Sequence, residues 1–333
     1  VNLSLDDLRA LNAGQIGTRD VACPLCGPKC RTAANRKRDV LRIWDDGSFV
    51  TYKCARCEAS GWAKDDRADG IVPRAATKPR EPAADKSDLA RYLWSQSLPL
   101  AGSLAETYLR SRQCFVDCAN IRFLPARNEH PAAMIARFGT SVVSGVHLTK
   151  LRSDGNGKSG TEKDKIMIGP SMGQPIIVAD NPDRGELLIA EGIEDAASLT
   201  LATGWSAWAA GSAGRIAACL TAAERFDKVF VAVDHDAAGK AALARARSVR
   251  ADIIPLRIAK ALGTRDELDA NKALIRYGAD ALLAAVEWSE AHCAYARGQI
   301  GFHAMQSASA RAEGVFRIIA DATSPYGENR HNA

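Results

Sequence analysis

Two apolar runs in the second half of the chain end abruptly on carboxylates. Leu187 to Ala190 runs into Glu191, with Glu194 and Asp195 close behind, and Val229 to Val233 runs into Asp234 and Asp236. Acids grouped at the ends of neighbouring buried strands repel one another and lose hydration, so the pattern makes sense where divalent cations fill the gap. Asp234 and Asp236, two residues apart in an extended segment, point the same way and can share one cation or bridge two. Such a set suits Mg²⁺ or Mn²⁺, which keep several waters and bind substrate phosphates. The expected chemistry is metal-dependent phosphoryl transfer, with Glu191, Asp234 and Asp236 as ligands. A third acidic stretch, Asp266-Glu267-Leu268-Asp269, follows a later strand candidate. Glu194, Glu267 and Asp227 read as solvated.

The first part of the chain holds a different ligand set. Of nine cysteines, Cys23 with Cys26 and Cys54 with Cys57 form two Cys-x-x-Cys pairs that bracket 27 residues. Between them, Val40 to Trp44, a turn containing Gly47, and Phe49 to Lys53 read as strand, turn, strand. The N-terminus lacks the basic-then-apolar layout of a secretory signal, so paired cysteines argue for metal rather than disulfides. Four thiolates suit tetrahedral, structural Zn²⁺. Cys30 is an extra thiol nearby; Cys114, Cys118, Cys219 and Cys293 read as ordinary core cysteines. From Lys29 to Arg42 lie Lys29, Arg31, Arg36, Lys37, Arg38 and Arg42 against the single acid Asp39, and Trp44, Phe49, Tyr52 and Trp62 follow. Cations beside aromatics suit a single-stranded nucleic acid, the cations holding phosphate and the rings stacking on bases.

These residues need elements to hold them. A short amphipathic helix capped by Ser4, with Leu5, Leu8 and Leu11 as its stripe, is expected to end near Gly14. The cysteine module spans 20–63, and 64–87 reads as a flexible linker rich in charge, Ala and Pro. A mixed α+β segment, 88–183, carries helical spacing at Leu89, Leu93, Trp94, Leu104, Tyr108 and Leu109. Its strand candidates are 121–123, 142–143, 145–148, 166–168 and 176–178. From 184 to 287 strands at 187–190, 205–209, 228–233 and 252–257 alternate with helices at 193–202, 214–224 and 237–250, followed by a pair of helical segments over 270–287. That alternation predicts a parallel sheet with right-handed crossovers, flanked by helices. The tail, 288–333, is helical or irregular, and 322–333 reads as a frayed end.

Together the acidic segments resemble a Toprim domain, the module shared by DnaG-type primases, topoisomerases and some nucleases. The family has a lone Glu after one strand and Asp-x-Asp after a later one, here Glu191 and Asp234/Asp236. Asp234-His235-Asp236-Ala237-Ala238-Gly239-Lys240 is similar to the primase version, in which Lys240 falls at a basic position. The resemblance implies roles for Asp195 and for Asp269, with Asp266 as the alternative register. The cysteine module resembles the N-terminal zinc-binding domain of DnaG-type and phage primases. Tyr108-Leu109-Arg110-Ser111-Arg112 is similar to a phrase that precedes Toprim in phage and plasmid primase-like proteins. The resemblance implies a DNA primase of a phage or mobile element, a nucleotidyltransferase acting on a single-stranded DNA template with nucleoside triphosphates, with or without a separate helicase. Lys158, Lys163 and Lys165 are then candidates for nucleotide or template contact. A plain surface role suits each of the three better, and Lys165, just before an apolar strand, is the best candidate among them. A Toprim nuclease and a non-catalytic mediator of the RecR type are the alternatives.

Composition sets outer bounds. The 333 residues allow two or three domains, 47% are apolar, and the net charge is only +5. No apolar run approaches the ~20 residues that span a bilayer, so a cytoplasmic protein with no membrane partner is expected. Gly155-Asn156-Gly157-Lys158-Ser159 mimics the end of a P-loop, but Arg152 stands where the motif needs its first Gly. The chain is also short for the strand-passage gate of a type IA topoisomerase.

Overall fold

The computed structural model describes residues 3–30, 32–47, 49–64, 85–139, 142–161, 163–234, 236–264 and 266–323. Most of the expected linker and the last ten residues of the expected frayed end lie outside them, as do Arg31 and His235. The chain divides into two compact units, Val1–Ala84 and Asp85–Ala333.

In the first unit, helix α1 (Leu5–Leu11) opens with a capping box in which Ser4 and Asp7 bond each other's backbone N–H. An antiparallel meander follows: β1 (Gly17–Ala22), β2 (Asp39–Asp45), β3 (Phe49–Cys54) and β4 (Ser60–Lys64), with the short helix α2 (Ala33–Arg36) between β1 and β2. The sheet thus has four strands where the pattern suggested a hairpin, because β1 and β4 are too polar and too interrupted by Gly17 and Gly61 to signal. Alternation along β2 and β3 puts Leu41, Ile43, Val50 and Tyr52 on one face with Leu3 and Leu8, and Arg42, Trp44 and Lys53 on the other.

The second unit begins with α3 (Ser87–Ser95) and α4 (Leu104–Ser111) and a second antiparallel meander, β5 (Ile121–Leu124), β6 (Ala133–Arg137), β7 (Val146–Lys150) and β8 (Lys165–Ile168). Strand β6 was not expected, since Ala133-Met134-Ile135-Ala136-Arg137 lacks β-branched alternation; burial fixes it instead. Val142-Val143, expected as strand, is not one. Next come β9 (Ile176–Ala179), β10 (Glu186–Ala190), α5 (Ile193–Thr203), β11 (Ser206–Ala209), α6 (Ile216–Cys219), β12 (Lys228–Val231), α7 (Ala237–Val249), β13 (Ile254–Pro255) and α8 (Ile258–Ala261).

Their sheet has the order β13-β12-β10-β11-β9; the first four strands run parallel and β9 closes the edge antiparallel. The helix expected over 214–224 is only one turn of α-helix between two 3₁₀ turns. Strands β10 and β12 read as continuous apolar runs because helices cover both faces of the sheet. Helix α9 (Ala270–Ala296) is broken at Gly278, whose φ of 82° only glycine adopts freely. It runs on well past 287, and α10 (Phe302–Thr323) follows within the tail that reads as helical or irregular. Ala308 and Ala312 of α10 are buried, and Met305 and Val315 pack against the core beside Ala312.

Candidate active site

The parallel order puts the carboxyl ends of β10 and β12 side by side, where open α/β sheets bind ligands. Glu191, Asp195, Asp234 and Asp269 line one cleft there, with Leu256, Ile258 and Leu268 as its apolar floor. The Asp234 backbone N–H donates to Glu191 Oε1 at 3.3 Å. Asp236 sits just outside as the N-cap of α7, accepting from the Gly239 N–H at 2.8 Å. One Asp236 oxygen is therefore committed to the helix, and the other is left for a cation. Asp269 caps α9 in the same way and also pairs with Lys272 at 2.8 Å. Asp266 is exposed and pairs with Arg276.

Three helix N-termini, those of α5, α7 and α9, carry Asp195, Asp236 and Asp269, and their positive ends temper the repulsion. It is not removed. Burial, then the Asp234 charge, pushes Glu191 from an ordinary 4.5 up to about 7. Burial, then Asp269, pushes Asp195 from 3.8 to about 7. Desolvation and the Asp269 and Asp236 charges raise Asp234 as well. Hard oxygen donors that resist ionisation beside one another are the donor set that Mg²⁺ or Mn²⁺ would relieve.

Glu194 was expected to be solvated; it is instead 6% exposed. It accepts from the Tyr108 hydroxyl at 2.6 Å and pairs with Lys158 at 3.2 Å and Lys165 at 3.5 Å. Burial opposes its ionisation, but the two ammonium groups and Tyr108 hold it well below the carboxylate range. Lys165 stays charged because Glu194 and Asp195 outweigh its own desolvation. Lys158, expected as a plain surface residue, belongs to this cluster. A Cβ on Gly192 would come within 3.2 Å of Glu194, 3.3 Å of Asp195 and 3.7 Å of Lys165, so the lysine and the acids share one small space. Lys163 and Lys240 are exposed. Gly239 serves the backbone rather than a substrate, since a Cβ there would lie 2.1 Å from the Asp234 carbonyl oxygen.

Asn271 was also missed as a positioning residue. Its N–H donates to Asp195 at 3.0 Å, and its amide donates to Ser198 and to the Arg112 carbonyl, both at 2.9 Å. Asp269-Ala270-Asn271 stood out in the sequence, but only the fold reveals that Asn271 braces Asp195.

In the first unit, Cys23, Cys26, Cys54 and Cys57 bring their sulfurs within 4.8 Å of one another, the one such group of metal-ligand side chains among the described residues. The edges Cys23–Cys57 and Cys26–Cys54 measure 3.9 and 3.8 Å. A tetrahedron of sulfurs about 2.3 Å from a central ion has edges of about 3.8 Å, so the four fit zinc. The N–H groups of Arg56 and Cys57 donate to the Cys54 sulfur at 3.4 and 3.5 Å. Cys30 stands outside the set, bonded to the Cys26 carbonyl and approached by Arg56 at 2.8 Å. Arg36, Lys37 and Arg38 are exposed on and just after α2. Trp44, Phe49 and Trp62 are exposed on the outer face of the sheet, where Phe49 and Trp62 stack at 5.5 Å.

The family model for the Toprim domain matches residues 186–280. Residues 186–280 are a Toprim domain. A domain of unknown function (DUF7146) matches residues 84–178, just before the Toprim domain. A search of the curated proteins gives no match. Among solved structures, the chain is similar to the primase fragment of the bacteriophage T7 primase-helicase protein, at 14% identity over 80% of this chain and 98% of that one, with a TM-score of 0.36. It is also similar to the zinc-binding and RNA polymerase domains of the Aquifex aeolicus primase, at 12% identity over 94% of each chain, with a TM-score of 0.41. No helix among the described residues is long and apolar enough to cross a membrane.

Proposed function

We propose that this protein is a DNA primase of a phage or other mobile element, joining nucleoside triphosphates on single-stranded DNA. The observation that carries the reading is the cleft of the Toprim domain, where four carboxylates gather at strand and helix ends and Lys165, anchored with Lys158 on the buried Glu194, stands beside Gly192 at its edge. Mg²⁺ or Mn²⁺ bound there would activate the attacking hydroxyl and stabilise the leaving phosphate. Glu191 and Asp234 would hold it, with Asp236 offering its uncapped oxygen and Asp269 closing the cleft. Asp195, braced by Asn271, is positioned to shape the coordination sphere from α5. Lys165 and Lys158 would receive the triphosphate, which would arrive already charge-matched. Zn²⁺ in the four-cysteine site would hold the ribbon together, and its exposed Trp44, Phe49 and Trp62 would stack on template bases beside Arg42, Lys53 and Lys64. Arg36, Lys37 and Arg38 would add phosphate contacts and Lys240 a further one near the cleft.

The test is primer synthesis on single-stranded DNA with labelled nucleotides, run beside Asp234→Ala. Short products that vanish in the variant are expected. Shortened template in place of products would replace the reading with a nuclease, and DNA binding with no products would replace it with a mediator. Trp62→Ala should weaken binding of single-stranded DNA by about 1–3 kcal/mol if one base stacks there; unchanged affinity by fluorescence anisotropy would remove Trp62 from the template path.

A further inference from the structure

Glu194 is costly where it stands. A carboxylate 6% exposed must be fully compensated to remain charged, and the compensation comes from three side chains that all belong to the preceding domain. Tyr108 reaches it from α4, Lys158 from the loop after β7, and Lys165 from the first residue of β8. Both lysines keep 38% of their side-chain surface exposed, so each has donors left over. Lys165 stands beside Gly192 and Asp195, close enough to fall onto the acidic cleft were it not held. On the β7 face next to it, His147 Nδ1 and Thr149 Oγ1 are buried without a hydrogen-bond partner among the described residues, and Thr149 pairs directly with Lys165 across the ladder. A buried anion, two half-free cations and orphan polar atoms together describe a held, polar seat rather than a packing contact.

We infer that Glu194, with Tyr108, is the positioning residue that fixes Lys158 and Lys165 at the edge of the acidic cleft as a seat for a nucleoside triphosphate. The inference rests on the primase reading for its substrate, and it adds that the Toprim domain itself sets the lysines of its neighbour. Glu194 touches no reacting atom. It draws both ammonium groups to one place and keeps Lys165 from neutralising the carboxylates that a metal needs.

The experiment compares the full-length protein with Glu194→Gln, Glu194→Asp, Lys158→Ala and Lys165→Ala. Gln keeps the shape and the Tyr108 hydrogen bond but removes the charge. Steady-state synthesis with ATP varied is expected to show the ATP KM raised about ten- to a hundredfold, the loss expected for charge-assisted bonds, with a smaller change in kcat. Affinity for single-stranded DNA should stay as in the wild type, and Glu194→Asp should recover part of the loss. Titration of a fluorescent ATP analogue with Mg²⁺ reads the seat without synthesis. Wild-type protein that binds the analogue in a Glu194-dependent way but makes no primers would therefore fail the primase reading alone. An unchanged KM and analogue affinity in Glu194→Gln, or equal losses in DNA and nucleotide binding, overturns the inference. Should Glu194→Gln not fold, the two half-exposed lysine variants decide, and unchanged ATP KM in both overturns it.

Discussion

At the scale of residues, the cleft is a set of acids held against their electrostatic preference. Glu191 and Asp195 are both displaced to about 7. A carboxyl whose folded pKa lies above its unfolded value binds protons more tightly in the native state. Its contribution is therefore favourable at low pH and is lost as pH rises from about 4.5 through about 7. The metal-free protein should consequently lose thermal stability between pH 5 and pH 8, and Glu191→Gln should lose less over the same interval. Mg²⁺ should restore more stability at pH 8 than at pH 5, because it binds the ionised form. Thermal unfolding in chelator and in Mg²⁺ checks both statements. Parallel pH profiles for wild type and Glu191→Gln would mean that Glu191 is ionised already at pH 5.

At the scale of elements, the acids are placed by helix starts. Asp236 has two jobs that substitution can separate. Asp236→Asn keeps a good N-cap and discards the charge, whereas Asp236→Ala discards both; loss of a cap costs about 1 kcal/mol. Only Asp236→Ala should lower the urea midpoint, while both should lower synthesis. A fall in stability equal in the two variants would show that the charge, not the cap, holds the start of α7. The strand ends were legible because β10 and β12 are buried on both faces and so spell unbroken apolar runs that stop at charge. The four cysteines were legible because thiolate pairs at this spacing have few other uses. Glu194 was not legible, since a Glu in the first turn of a helix looks solvated until Tyr108, 86 positions earlier, is seen to bond it. Strand β6 escaped for a related reason: an alanine-rich element takes its identity from what packs on it, and periodicity of bold apolar residues does not report it.

At the scale of the whole molecule, the two units have separate sources of stability. The second unit has an extensive core built on Tyr108, Met134, Leu188 and Phe230. The first has a small one of Leu8, Leu41, Ile43, Val50 and Tyr52, gathered around the cysteines themselves. Cys23, Cys26 and Cys54 are buried members of that core, so without an ion the small unit would surround unpaired thiols, and burial already pushes Cys26 upward. Small metal-stapled modules of this kind fold with their ion and unfold without it. Stripping metal with a strong zinc chelator should therefore erase hydrogen-exchange protection across 39–54 and leave 133–137, 146–150 and 186–190 protected. Cys54→Ser should give the same pattern without chelator. Because the clustered carboxylates and the proposed lysine seat lie wholly in the second unit, the stripped protein should, on the primase reading, still bind a nucleotide analogue with Mg²⁺ while losing template binding. Protection lost in both units together would show one cooperative fold, and protection lost in neither would show a cysteine module that stands without its metal.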